Sequence, residues 1–251
     1  MVLYEYPFNE STRTLLRLER LFDRMGLLME RAEAVDHHFA LTTLFEAMDV
    51  ASRADVKADL LKELERHRSV LQGYRGHPHI EAAMLEGVLG RIETAVSALA
   101  PYNGKSSQAL LHNDWLMDIR HRMALPGGTC EFDLPAYHAW QQLPLARRQA
   151  DLQRWAQALQ PLAQALHVQL SLLRDGGHTR TVTAQQGLYQ QNLPAGRPYQ
   201  LLRLRLAREH NLVPEIGGHR LMVSVRLMLL ETDGRLRPST TDTSFELALC
   251  A

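Results

Sequence analysis

The order of hydrophobic periods along this chain predicts an α+β fold, a helical domain of antiparallel helices beside a smaller antiparallel β-sheet domain. Three observations carry that expectation. Up to Gly176-Gly177 most segments repeat apolar residues with a helical period, and beyond it alternation dominates. The strands follow one another as a run and are not interleaved with helices, which excludes a βαβ architecture. The expected division puts 8–128 together with 135–176 in the helical domain. Residues 1–7 with 129–134 and 177–251 form the β-strand domain.

The elements follow in order. "VLYEYP" (2–7) reads as a short strand ended by Pro7, and Asn9 stands where a helix N-cap belongs. In the helix that follows, Leu15, Leu18, Phe22 and Met25 share one face and Arg13, Arg17 and Arg20 an adjacent polar one. A second helix opens at Asp36. The third, "SRADVKADLLKELERHRSVLQGY", has Ser52 as its expected cap and Arg53 and Lys57 near a start where cations oppose the helix dipole. "HIEAAMLEGVLGRIETAVSALA" is a fourth, stopped by Pro101 before the loop "PYNGKSSQ". "NDWLMDIRHRMAL" is a fifth, halted by Pro126-Gly127-Gly128. "CEFDL" reads as a short strand and "PAYHAWQQL" as a short helix with proline in its first turn. The long run from Ala146 to Gly177 contains Pro161, which must kink or divide it. "HTRTVTAQQGLYQQN" suggests a strand continuing past a bulge at Gly187. "YQLLRLRLARE", "HRLMVSVRLMLLE" and "TSFELALC" complete the strands, with "AGRP", "PEIGGH" and "TDGRLRPSTTD" as loops.

Composition narrows the function classes. Twenty-eight basic residues balance 28 acidic ones, so the basic excess of a general nucleic-acid binder is missing. Of the basic residues only Lys57, Lys62 and Lys105 are lysines, and guanidinium groups fork onto carboxylates better than ammonium groups do. The N-terminus lacks the basic start and apolar run of a signal peptide. No stretch approaches the ~18 uninterrupted apolar residues of a spanning helix. A cytoplasmic protein without membrane insertion is expected.

The chemistry-bearing motifs are weak. Neither a dinucleotide fingerprint nor a P-loop occurs, no G-x-S-x-G elbow appears, and there is no HExxH. His37 and His38 are adjacent, so on a helix they point about 100° apart and do not share one ion. A Cys/His hydrolase reading of "LPGGTCEFDLPAYHAW" would need Cys130 activated by His138. In a strand, Cys130 would instead pack with Phe132 and Leu134 as a small hydrophobe, and that structural reading is preferred. The stronger signal lies between Arg180 and Arg226, where Arg180, Arg197, Arg203, Arg205, Arg208, Arg220 and Arg226 face only Glu209 and Glu215. An arginine-lined sheet face suits an acidic peptide or a nucleic acid; the plainer alternative is a solvated face neutralised by its neighbours.

Several long blocks, in order, resemble the ZapD family of FtsZ-associated bacterial division proteins. They are "YEYPFNESTRTLLRLE", "DVKADLLKELERHRSVL", "IRHRMALPGGTCEFDLPAYHAW", "LQPLAQALHVQLSLLRDGG", "GLYQQNL" and "FELALC". The resemblance implies a non-enzymatic homodimer that binds the C-terminal tail of FtsZ, the tubulin-like GTPase of the division ring, and cross-links its filaments into bundles. It implies no cofactor, metal, nucleic acid or small-molecule substrate, and a place in the cytoplasm at the midcell division ring. Arg17 in "LLRLE", Arg53 in "ASRADV", His138 in "DLPAYH" and Arg226 in "VSVRL" match basic positions that contact the tail in that family. The chain departs from the family at Met222, where relatives can carry arginine and where Arg220 is expected to supply the charge. It departs again near Asp114, where another family arginine aligns.

Overall fold

The structure is a computed structural model that describes residues 1–251 except 53, 102–109, 195, 197 and 220, with the backbone alone at Ala54. The chain divides into two units. Met1–Arg13 with Leu170–Ala251 makes a β unit, and Thr14–Gln169 makes a helical unit. The fold is α+β, with helices collected in the first two thirds and antiparallel sheets in the last third.

The helical unit is built from α1 (Glu10–Glu30), α2 (Ala34–Ala51), α3 (Ala54–Gln72), α4 (Ala82–Leu99), α5 (Asp114–Met123), α6 (Pro135–Gln141), α7 (Leu145–Ala156) and α8 (Gln160–Asp175). The boundaries between the units fall inside α1 and α8. Two N-caps are made as the sequence expects of Asx residues. Asn9 accepts from the Thr12 N–H at 2.7 Å, and Asn113 accepts from the Leu116 N–H at 3.1 Å. Ser52 does not cap α3. It closes α2 instead, its N–H returning to Met48 and its hydroxyl donating to the Asp49 carbonyl. Lys57 donates to the Ala100 carbonyl just past α4 at 2.7 Å, so this cation completes the C-terminus of a neighbouring helix. The chain divides at the predicted place: α7 ends, a 3₁₀ turn covers Gln157–Leu159, and α8 restarts with Pro161 in its first turn.

The core of this unit gathers Leu41, Leu44, Leu116, Ile119, Tyr137, Trp140, Trp155 and Leu159, each nearly or wholly out of water. Burying one such side chain contributes about 1.5–3 kcal/mol relative to leaving it exposed. Trp115, Tyr137, Trp140 and Trp155 form one aromatic cluster, with Tyr137 and Trp140 stacked at 5.8 Å. Trp140 Nε1 donates to the buried Asp151 at 3.2 Å, which satisfies the polar edge of the ring. Around it, side chains tie down the end of α1. Arg148 donates to the carbonyls of Ala32 and Gln141, both at 2.6 Å. Gln149 donates to the Met29 carbonyl at 3.1 Å, and His37 Nε2 lies 2.9 Å from the Arg31 carbonyl. The carbonyls left open at and just beyond a helix C-terminus are thereby met by groups from α2 and α7.

The β unit holds β1 (Val2–Pro7), β2 (His178–Ala184), β3 (Leu188–Asn192), β4 (Leu201–Leu206), β5 (Leu212–His219), β6 (Met222–Leu230), β7 (Leu236–Pro238) and β8 (Thr243–Cys250). One antiparallel sheet runs β1-β4-β8-β2 and the other β3-β6-β5, with β7 pairing on β6. Their inner faces meet through Leu202, Leu204, Leu206, Phe245 and Leu247 from the first and Val223, Val225 and Leu227 from the second. The alternation of "LLRLRL" therefore means what it suggested.

Four expectations need correcting. "CEFDL" is not a strand: the Asp133 and Leu134 N–H groups both donate to the Cys130 carbonyl, closing a turn that α6 follows at once. Phe132 in that turn is 79% exposed, the segment lies within the helical unit, and 129–134 adds nothing to either sheet. "PEIGGH" is not a loop but most of β5. "LRP" inside a second expected loop is β7. The "bulge" at Gly187 is a tight corner between two sheets, with Gln186 at φ 48° and Gly187 at φ 76°. A side chain at Gly187 would run into Ser239, so glycine is required there on both counts.

Candidate partner-binding surface

The anticipated contacts fall on different units. Arg17 projects from the exposed face of α1, and His138 is exposed on the short helix α6, both in the helical unit. Arg226 is exposed on β6 in the β unit. Arg53 and Arg220 lie outside the described residues, as does the loop 102–109. The Cys/His reading of "LPGGTCEFDLPAYHAW" finds no support in the geometry. Among the described residues no hydrogen bond joins Cys130 to His138, and Cys130 sits in the turn before α6. The other thiol, Cys250, is fully buried, and burial pushes its pKa up to about 11, which leaves it an inert thiol at neutral pH. Among the described residues no three His, Cys, Asp or Glu side chains gather as a metal site requires.

The arginine-rich stretch resolves into two kinds of residue. Arg203 and Arg205 alternate outward from β4, and each meets a carboxylate of its own sheet. Glu5, directly opposite Arg203 on β1, receives Arg203 Nε at 3.0 Å and a two-pronged clasp from Arg174 of α8 at 2.9 and 2.7 Å. The Glu5 and Arg side chains are only 12–23% exposed. Burial alone would raise the Glu5 pKa. The hydrogen bonds and charge of Arg174, then those of Arg203, outweigh it and hold the carboxyl below its ordinary range. Arg205 pairs with Glu246 at 3.5 Å, and Arg180 is held by Tyr189 and Gln191. Arg203 and Arg205 thus meet the plainer expectation, neutralisation by neighbours, whereas the partners of Arg180 are uncharged.

Arg226 differs. Among the described residues its side chain makes no hydrogen bond and no ion pair. It stands on the outer face of the second sheet, with Leu188 of β3 opposite on one side and Glu215 of β5 opposite on the other. The next row along the strands is Gln190, Ser224 and Gly217, and the one beyond is Asn192, Met222 and His219. The β3 and β5 members of these rows are exposed, whereas Val223, Val225 and Leu227 turn inward and are fully buried.

The β5 edge of this sheet offers an incomplete set of backbone donors for strand addition. The Leu230 N–H donates to the Asn211 carbonyl, which with the register assigns Val213, Glu215, Gly217 and His219 to the hydrogen-bonded pairs with β6. Leu212, Pro214, Ile216 and Gly218 therefore turn their backbone groups to the open edge. Pro214 has no N–H to offer, and the Gly218 N–H is taken by the Tyr6 hydroxyl at 3.2 Å.

The sequence profile of the ZapD family, described as a cell division protein, matches residues 16–226 of the 251. The chain belongs to the ZapD family. The match takes in Arg17, His138 and, at its last residue, Arg226. ZapD membership makes this a cell division protein, and among the described residues no helix is long and apolar enough to cross a membrane. The outer-face residues around Arg226 do not stand out in the sequence, because Pro214 and the two glycines make "PEIGGH" read as a loop.

Proposed function

We propose that this ZapD-family chain is a non-enzymatic homodimer that binds the C-terminal tail of FtsZ and cross-links FtsZ filaments at the division ring in the cytoplasm. The observation that carries the reading is the family match over 16–226, which contains all five expected contact positions: Arg17, Arg53, His138, Arg220 and Arg226. Dimer contact is assigned to the helical unit, Thr14–Gln169, through its first helices, and tail contact to the basic positions. The tail's chemistry suits this assignment. A short acidic segment, disordered when free, needs guanidinium forks for its carboxylates and a little apolar surface. Ordering it costs several kcal/mol, so one site binds weakly, at ~micromolar Kd. Two sites on one dimer then gain from the many tails a filament displays.

The test is co-sedimentation with FtsZ polymers. The double variant Arg53→Glu, Arg226→Glu loses bundling while keeping its circular-dichroism spectrum. Undiminished bundling by the folded double variant would overturn the assigned contacts. A turnover lost with Cys130→Ala or His138→Ala but not with the arginine changes would revive the hydrolase reading.

A further inference from the structure

The end strands of the two sheets differ in what their open edges offer, and two independent bonds set the phase of β2. Gln185 exchanges both backbone hydrogen bonds with Leu188 at 2.9 Å, so Gln185 faces away from β8. By alternation Thr179, Thr181 and Thr183 face the same way. The Phe8 N–H bond to the Gln200 carbonyl gives the same phase from the far side of the sheet. It assigns Tyr4 and Tyr6 to the hydrogen-bonded pairs with β4, then Arg203 and Arg205 to those with β8, and so Arg180, Val182 and Ala184 of β2 to the last set. The N–H and C=O groups of the three threonines therefore point outward, and among the described residues nothing bonds to them. All three residues are exposed. The edges of β1, β3 and β5 lack such a complete set. Pro7 removes a donor from β1, β3 spends both groups of Leu188 on Gln185, and β5 has Pro214 and the bonded Gly218. β2 carries no proline, glycine or lysine, and its one permanent charge, Arg180, is drawn to Tyr189 and Gln191 of β3.

We infer that β2 pairs antiparallel with β2 of a second copy of this chain across a two-fold axis at Thr181, joining two four-stranded sheets into one continuous sheet. The strand's own sequence selects this occupant. With Thr181 opposite the partner's Thr181, Thr179 of each copy meets the partner's Thr183, and every outward group of both edges is bonded. The threonines then form a self-matched row on the outer face, and cross-strand threonine pairs stabilise antiparallel strands. On the other face Arg180 meets the partner's Val182, and His178 the partner's Ala184. The two neighbouring two-fold registers are worse. One centred on Arg180 sets two arginines directly opposite each other. One centred on Val182 brings Thr179 to Gln185, whose groups Leu188 already holds. A short backbone ladder with little apolar area makes a weak contact, with a Kd of about 10–100 micromolar. It uses the β unit, whereas the dimer contact proposed above uses the first helices, so the two contacts together join dimers into larger assemblies.

The experiment is sedimentation velocity of the full-length chain, over concentrations about tenfold either side of that Kd, together with disulfide trapping. Larger species grow in as concentration rises. Thr181→Pro removes an outward N–H and no bond of its own sheet, and Thr181→Lys charges the edge; each weakens that step at least about tenfold. In a Cys130→Ser background, Thr181→Cys cross-links to a second copy on mild oxidation, because a hydrogen-bonded pair holds its Cα atoms about 5.5 Å apart. Thr183→Cys cross-links at least about tenfold more slowly, its two copies lying about 14 Å apart in this register. Melting temperatures within a few degrees of wild type show that the variants are folded, and Thr181→Lys serves if the proline variant is not. Undiminished growth in both Thr181 variants, or equal trapping by the Thr181→Cys and Thr183→Cys variants, overturns the pairing. So does a chain that shows neither concentration-dependent growth nor a Thr181→Cys cross-link. A Thr181→Cys chain that cross-links to an added cysteine-bearing FtsZ tail peptide and not to its own copies assigns the edge to that peptide instead. The self-association readouts need no FtsZ, so they stand apart from the tail-binding reading.

Discussion

Replacing Glu5 with glutamine tests how the β unit is held together. The carboxylate receives three hydrogen bonds from two guanidinium groups, Arg174 Nε and Nη2 and Arg203 Nε, at 2.7–3.0 Å. Glutamine keeps the shape but removes the charge, and it turns an amide toward donors that need an acceptor. Both arginines are then left without their counter-charge at 21% and 23% exposure. Breaking a fully buried pair from one side costs about 3–5 kcal/mol. The partial exposure here reduces that to about 2–3 kcal/mol. For a domain of this size the loss amounts to about 10 °C or more in Tm. The control is Glu246→Gln, whose pair with Arg205 is 46% and 38% exposed, and which costs about 0.5 kcal/mol or less. The assay is a thermal melt followed by far-UV circular dichroism, with hydrogen exchange read on peptides covering β1 and β4. The same carboxylate gives a pH dependence. Its folded pKa is below the ordinary 4.5, so its stabilisation is present above that value and is lost as pH falls through the folded one. Glu5→Gln melting within about 2 °C of wild type at neutral pH, no worse than Glu246→Gln, would refute the reasoning.

Three further outcomes follow from the packing. His37 is wholly buried, and burial lowers its pKa below 6.5, so stability from its neutral form is present above 6.5 and declines as pH falls. Urea midpoints read by tryptophan fluorescence, which reports the helical unit alone, fall between pH 7.5 and 5.5, and His37→Gln reduces that slope. Gly218→Val costs about 1–3 kcal/mol through collision with Phe8, whereas Gly217→Ala is close to neutral; chemical denaturation separates the two. A thiol reagent modifies Cys130 in the native protein, and the wholly buried Cys250 only on unfolding.

What could be read from the sequence was whatever local chemistry decides. Asn9 could cap only a helix, Pro161 had to interrupt one, and "LLRLRL" could bury its leucines only as a strand. The misreadings came where a distant partner decides. "CEFDL" alternates, but alternation makes a strand only if another strand lies alongside, and here the backbone closes a turn on Cys130 and leaves Phe132 in water. "PEIGGH" reads as a loop because of Pro214 and two glycines. Proline is harmless at an open edge, and Gly218 answers to Phe8, more than 200 residues away in sequence. The candidate site shows the same division. The arginine excess was visible at once. That Arg203 and Arg205 are spent on Glu5 and Glu246, while Arg226 remains open, depends on strand order and register.

The central claim, that this chain cross-links FtsZ through the tail, is tested most directly by pelleting polymerised FtsZ with and without its C-terminal tail in the presence of the purified protein. The expected outcome is that the protein co-sediments with and bundles full-length FtsZ and does neither with the tailless form. Equal bundling of both forms would contradict it.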